Sequence, residues 1–318
     1  MTAKRSAIQA MNGVGLFVVA AFLVPLTPPL VIAQNGQAHS EVAAKKDESR
    51  QGKEKESSWF DRQTKWKGFD QFHFQVAGRK AYLVVPPKPL AGRPWIWRAR
   101  FPGYHDEMDV ELAGRGFHLA YLDVSNEFGS PTAIQDAEQF YDLLISKHRL
   151  SPRAVMEGVS RGGLFVYNWA TQHPDSVAGI YCDTPVLDFV SWPAGKGAGL
   201  GSSSAWKACL NAYEMSETQA IEFDGQPVDH AARIADAKIP LLHIVSENDS
   251  VVPPIENTYR LRDALRAEGH DLEVISVEAG TVKSNGHHFE HPDPDRVVQF
   301  FLRCVDASDS KSNDGSLP

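Results

Sequence analysis

The sequence predicts an α/β domain with a mostly parallel central sheet and helices on both faces. Three observations lead there. From Trp59 to Val305, short apolar runs alternate with stretches of helical spacing. An alternating order of strand and helix puts helices over both sheet faces and makes neighbouring strands parallel. The chain has 318 residues and is 42% hydrophobic, enough for one large domain with a substantial core.

The elements follow in order. PWIWRARF (94–101) and GFHLAYLDV (116–124) read as strands. AIQDAEQFYDLLISKH (133–148) has helical spacing, with Ala137, Phe140, Tyr141, Leu144 and Ile145 on one face. RAVMEGV (153–159) is a short apolar strand, and GGLFVYNWATQHP continues as a helix that stops at Pro174. SVAGIYCD (176–183) and IPLLHIVSEND (239–249) are strands. IENTYRLRDALRAEG is a helix closed by Gly269. DLEVISVEAG (271–280) is the last strand, and PDRVVQFFLRCV (294–305) the last helix. Residues 185–238 break the rhythm. They hold no strand and carry the glycine-rich run WPAGKGAGLGSSSAW, so they read as an insertion that forms a lid or pocket wall. Trp192, Trp206 and Tyr213 are its candidate lining residues.

The domain occupies residues 59–306. Before it, Lys4 and Arg5 precede an apolar run from Val14 to Leu26, followed by Val31-Ile32-Ala33. This pattern predicts a signal peptide over residues 1–33 and a secreted or periplasmic protein, with an uncleaved anchor as the rival reading. Pro25, Pro28 and Pro29 interrupt the run and shorten it for a bilayer. Residues 34–58 and 307–318 are polar and charged, and are expected to be a disordered spacer and tail. A net charge of −8 argues against nucleic acid as a partner. Cys182, Cys209 and Cys304 show no CxxC spacing.

The chemistry centres on EGVSRGGL (157–164). Ser160 sits between a strand and a helix, where a sharp turn lifts a serine hydroxyl over the sheet edge and Gly158 and Gly162 leave room. The N–H of Arg161 then opens the helix beside the reacting oxygen. A serine hydroxyl needs a base, and the base an orienting carboxylate. Asp249 follows a core strand in SENDSVVP, and His287 lies in NGHHF after the last strand. His288 is the fallback base and Asp183 the fallback acid.

GVSRGG, SENDSVVP and NGHHF, in that order over about residues 72–305, resemble the α/β-hydrolase superfamily. The resemblance implies Ser160 as nucleophile, His287 as general base and Asp249 as acid. SRGG also resembles glucuronoyl esterases, where the arginine after the serine helps bind the oxyanion. Family members often carry His-Gly where this chain has Phe101-Pro102-Gly103-Tyr104. Pro102 has no N–H to give, so the N–H of Tyr104, then that of Gly103, is expected to complete the oxyanion hole with Arg161. The expected activity is hydrolysis of a small-molecule or carbohydrate ester through an acyl-enzyme. The alternatives are a serine peptidase of the same fold and a non-catalytic binding protein. No cofactor is called for. HHFEH (287–291) offers a metal set only if His287, His288, Glu290 and His291 converge. Arg98 and Arg100 share a strand face, which reads as a salt-bridged structural face. The sharper alternative is that one of them joins Arg161 in binding an anionic substrate group.

Overall fold

The computed structural model describes residues 59–314, with side chains through residue 307. The segments expected to be signal peptide and spacer, and residues 315–318 of the expected tail, lie outside the described residues.

Among the described residues, nine strands form one sheet. They are β1 (Arg62–Trp66), β2 (Phe69–Val76), β3 (Arg79–Val85), β4 (Trp95–Arg98), β5 (His118–Leu122), β6 (Ala154–Val159), β7 (Val177–Asp183), β8 (Leu241–Ser246) and β9 (Glu273–Val277). The spatial order is β1-β2-β3-β5-β4-β6-β7-β8-β9. From β5 to β9 every pairing is parallel, and β1, β2, β3 and β5 pair antiparallel. Eight α-helices accompany the strands: α1 (Glu107–Gly114), α2 (Pro131–Ser146), α3 (Gly162–Gln172), α4 (Ser203–Tyr213), α5 (Glu217–Ile221), α6 (Ala231–Asp236), α7 (Thr258–Ala267) and α8 (Pro294–Asp314).

Alternate residues of each strand point to opposite faces, and two apolar cores follow. Trp95 and Trp97 of β4 join Phe140 of α2, Phe165 of α3, Ile234 of α6 and Leu261 of α7 on one face. Ile96, between those tryptophans, joins Met108 and Leu112 of α1 and Val297 and Phe301 of α8 on the other. Burying one such large apolar side chain contributes about 1.5–3 kcal/mol. This is the α/β-hydrolase arrangement, and it sends the C-terminal ends of β4, β6, β7, β8 and β9 to one edge.

Residues 185–238 contain no strand; they fold into α4, α5 and α6 with one short 3₁₀ turn at Pro227–His230. A third apolar cluster holds this insertion, with Phe189, Trp192, Trp206 and Cys209 packed on Phe128, Leu164 and Val252.

Three features differ from the sequence reading. The hairpin strands β1 to β3 were not predicted, because half of their residues are polar and few are fully buried. β4 ends at Arg98 rather than Phe101, where the backbone turns into a left-handed conformation at φ 49°. α8 runs on to Asp314, past the boundary expected at residue 306. A helix already nucleated on the core propagates through polar residues at small cost per residue. No helix among the described residues is long and apolar enough to cross a membrane.

Candidate active site

Ser160 directly follows β6 and adopts φ 50°, a left-handed conformation that costs a non-glycine residue about 1–3 kcal/mol. The turn is locked by its own backbone. The Ser160 N–H donates to the Asp183 carbonyl at 2.8 Å, and the Ser160 carbonyl accepts from Gly163 and Val186, both at 2.9 Å. A side chain at Gly158 would place Cβ 2.9 Å from Val166 Cγ2 and 3.1 Å from the Cys182 sulfur. At Gly163 it would meet Pro185 Cβ at 2.6 Å, closer than anything facing Gly162. The close approach of α3 to the segment that follows β7 therefore demands glycine at position 163.

The structure brings the three predicted residues into one hydrogen-bonded chain. His287 Nε2 lies 3.1 Å from Ser160 Oγ, and His287 Nδ1 lies 2.6 Å from Asp249 Oδ2. The second Asp249 oxygen, Oδ1, accepts the N–H groups of Val251 at 2.8 Å and Val252 at 2.9 Å. The aspartate is thus oriented by its own loop, and all three residues are buried. With Nδ1–H donated to the carboxylate, Nε2 is the acceptor that faces the hydroxyl. Such a hydroxyl can pass its proton to Nε2 while Asp249 steadies the imidazolium. His288 is exposed, its N–H donates to Ser284 Oγ at 2.8 Å, and its ring stands 5.4 Å from that of His287.

A cavity of about 290 Å³ opens over Ser160. Phe101, Tyr104, Arg161, Trp192, Val251 and His287 are among the residues that line it. Of the three aromatic residues expected from the insertion, only Trp192 reaches this cavity. Trp206 packs beside Phe189, and Tyr213 donates its hydroxyl hydrogen bond to the Phe128 carbonyl at 3.0 Å.

The expectation for Tyr104 needs correction. Its N–H donates to the Phe101 carbonyl at 3.0 Å and closes a turn, so that donor is already spent. The side chain faces the cavity instead. Its phenol oxygen accepts the Phe289 N–H at 3.3 Å, which leaves the phenol proton free to be donated. Burial first, then the charge of Asp183, raise the Tyr104 pKa and keep that proton in place. Gly103 does not line the cavity.

Asp183 does not serve the His287 ring. It pairs with His105, a residue the sequence reading passed over, at 2.5 Å from Nδ1. The other ring nitrogen of His105 lies 2.8 Å from the Phe289 carbonyl. Both nitrogens therefore face acceptors and both carry protons. Burial opposes the charge, but the hydrogen bond and charge of Asp183, then the Phe289 carbonyl, outweigh it and raise the His105 pKa. This second pair ties the loop after β4 to the end of β7 and to the segment that carries His287.

Arg98 is a structural anchor. It is fully buried and donates from Nη1 to Asp109 at 2.5 Å and to Glu157 at 2.8 Å. From Nη2 it donates to the carbonyls of Phe101, at 3.0 Å, and Tyr104. It thereby joins β6, just before Ser160, to the loop that carries Tyr104. Burial pushes Glu157 well above the usual carboxylate range and also raises Asp109. Glu157 and Asp109 were missed; a glutamate inside the apolar strand RAVMEGV was the available signal.

The remaining polar side chains around the sheet resolve locally. His243 is a core residue between Tyr167 Oη, at 2.7 Å, and Thr258 Oγ1, at 3.0 Å; burial lowers its pKa to about 3. Asp123 accepts from the Ser125 hydroxyl at 2.5 Å. His291 pairs with Tyr181 Oη at 3.1 Å, away from His287, and no cluster of three or more metal-ligating side chains occurs among the described residues. Cys182, Cys209 and Cys304 are buried.

Fold and site together define a serine hydrolase. The sequence profile of the prolyl oligopeptidase family (Peptidase_S9) matches residues 119–307, and the chain belongs to that family. Comparison with curated proteins gives no match. Among solved structures, the acylaminoacyl peptidase of Pyrococcus horikoshii superposes with a TM-score of 0.55 at 15% identity, over 73% of this chain and 41% of that one. A Bacteroides ovatus protein named for dipeptidyl aminopeptidase IV superposes with a TM-score of 0.54 at 14% identity, over 74% of this chain and 35% of that one. This chain thus spans well under half the length of these structural relatives, and the likeness is one of fold.

Proposed function

We propose that the protein is a serine peptidase that cleaves a short peptide through an acyl-enzyme. The observation that carries this reading is the unbroken hydrogen-bond chain from Ser160 through His287 to Asp249 at the floor of a cavity, in a chain of the prolyl oligopeptidase family. Ser160 Oγ attacks the scissile carbonyl as its proton passes to His287 Nε2. The N–H of Arg161 and the hydroxyl of Tyr104 donate to the developing oxyanion. His287 then returns the proton to the leaving amine as the C–N bond breaks. Water, deprotonated by the same histidine, releases the acyl group from Ser160.

The ester expected from sequence has less support than the amide. Its carbohydrate form leaned on the tryptophans of the inserted segment and on export, and of those tryptophans Trp192 lines the cavity and Trp206 does not. The export expectation rests on residues 1–33 alone and is kept as part of the proposal.

Fluorophosphonate labelling of Ser160, followed by a panel of peptide anilides set against short-chain esters, tests the reading. Anilide turnover is expected. Rapid ester hydrolysis with no anilide cleaved would return the protein to the esterases.

A further inference from the structure

Arg161, which follows the nucleophile, and Arg100, which shares a hollow with it, have no carboxylate within ion-pair distance among the described residues. The Arg161 guanidinium sits 5.0 Å from the ring centre of Trp192 and 5.3 Å from that of Phe128, so two aromatic groups fix its position. Its polar contact is a long one, 3.5 Å from Nη1 to Asn126 Oδ1, and its buried Nε has no acceptor. Arg100 rests over the Phe101 ring at 4.3 Å, and its buried Nε also lacks an acceptor. Both arginines line a small hollow with Ser125, Phe128 and Gly162, next to the cavity over Ser160 that Arg161 also lines.

The contrast with Arg98 is informative. Two residues before Arg100, it is neutralised by two carboxylates. The chain has 40 acidic residues against 32 basic ones, yet none is within ion-pair distance of Arg100 or Arg161 among the described residues. Asp123, which feels the charge of Arg100, spends Oδ1 on the Ser125 hydroxyl and N–H and the Tyr121 hydroxyl. Asp123 offers Arg100 only a through-space charge, and holding two partly desolvated guanidiniums together with no carboxylate in direct contact is unfavourable; a bound anion offsets that cost. Burial, then the repulsion of Arg100, lower the Arg161 pKa. A planar guanidinium gripped between rings presents a fork that matches a carboxylate.

We infer that Arg161, backed by Arg100, forms a carboxylate-binding subsite, so that the preferred substrate carries a carboxylate within an arginine side chain's reach of the scissile carbonyl. This rests on serine-hydrolase chemistry at Ser160 and deepens the peptidase reading, where the carboxylate belongs either to an acidic side chain beside the scissile bond or to the peptide's C-terminus.

A matched pair of activated esters tests the subsite without requiring peptide cleavage. The pair is 4-nitrophenyl hemiglutarate and its methyl ester, which differ in one negative charge. The wild type is expected to favour the anionic ester in kcat/KM by about tenfold or more, as one well-placed charged hydrogen bond allows. The ratio is expected to fall close to one in Arg161→Gln and partway in Arg100→Gln. Glutarate is expected to slow fluorophosphonate labelling of the wild type but not of Arg161→Gln, while neutral glutaramide slows neither. Peptides with glutamate or glutamine beside the scissile bond, and with free or amidated C-termini, identify which carboxylate is read. A wild-type ratio at or below one, or a ratio unchanged in Arg161→Gln, would overturn the inference. An equal loss on both esters in Arg161→Gln would do so too, by making the side chain a general oxyanion support. Ester preference without cleavage of any peptide supports the subsite and removes the peptidase reading.

Discussion

The site contains two histidine–aspartate pairs that differ in one partner. In each, Nδ1 contacts a buried carboxylate, at 2.6 Å for His287 and Asp249 and at 2.5 Å for His105 and Asp183. The opposite nitrogen decides the role. For His287 it faces the Ser160 hydroxyl, a group that can both give and take a proton. For His105 it faces the Phe289 carbonyl, which can only accept. The first ring is therefore free to shuttle a proton, and the second is held as a cation that braces the loop. The same two residue types make a base or a strut according to whether the third partner has a proton to offer.

Breaking the first pair should have the largest effect on rate. Ser160→Ala is expected to lower kcat by about four to six orders of magnitude and abolish fluorophosphonate labelling, with an unchanged circular dichroism spectrum. Turnover near the wild-type level would remove Ser160 from the mechanism. Next, Asp249→Asn is expected to cost about 10⁴ in kcat by upsetting the His287 tautomer. Asp183→Asn should cost far less in kcat and show itself in thermal stability. Equal kcat losses in the two variants would erase the distinction between the pairs.

The strut should be visible in the pH dependence of stability. A buried pair that loses one partner costs about 3–5 kcal/mol, so His105→Gln is expected to lower Tm clearly. Because the His105 pKa is raised on folding, its contribution is fully present below the unfolded histidine value, near pH 6.5, and is lost as pH rises through the folded value. The Tm gap between wild type and His105→Gln should accordingly be widest at acid pH and narrow on the alkaline side. A gap that widens with pH would mean that His105 is neutral. The smallest effect is reserved for His288→Ala. Exposed and hydrogen-bonded to Ser284 only through its backbone, it should change kcat/KM by no more than a few fold.

How much of this was legible depends on whether the signal was local. β6, α3 and β8 are continuous apolar runs or helical repeats, and Ser160 stands between two of them, so its place could be read from neighbours. Asp249 and His287 were found because each lies in a loop after a legible strand, β8 for Asp249 and the edge strand β9 for His287. The brace was not legible. His105 and Asp183 are 78 residues apart, and nothing near His105 says which carboxylate it will meet. Arg98 looked paired, but that its partners are Glu157 on the adjacent strand and Asp109 on α1 follows only from strand order. The Tyr104 expectation failed on a detail that spacing cannot show: the turn consumed the N–H and left the phenol facing the cavity.

The third apolar cluster gives the insertion a footing of its own. Phe189, Trp206 and Cys209 are packed mainly among neighbours from the same segment, and they meet the rest of the protein through a few contacts at Phe128, Leu164 and Val252. Yet Trp192, from the same segment, is part of the cavity wall. The insertion is thus divided in its duties: Val186 holds the Ser160 carbonyl and Ile234 belongs to the main core, whereas Trp192 faces the cavity from the third cluster. Substitutions around Trp192 are expected to reshape what enters with less disturbance of Ser160, His287 and Asp249 than substitutions at Val186. On this scaffold, a change of diet is a smaller evolutionary step than a change of chemistry.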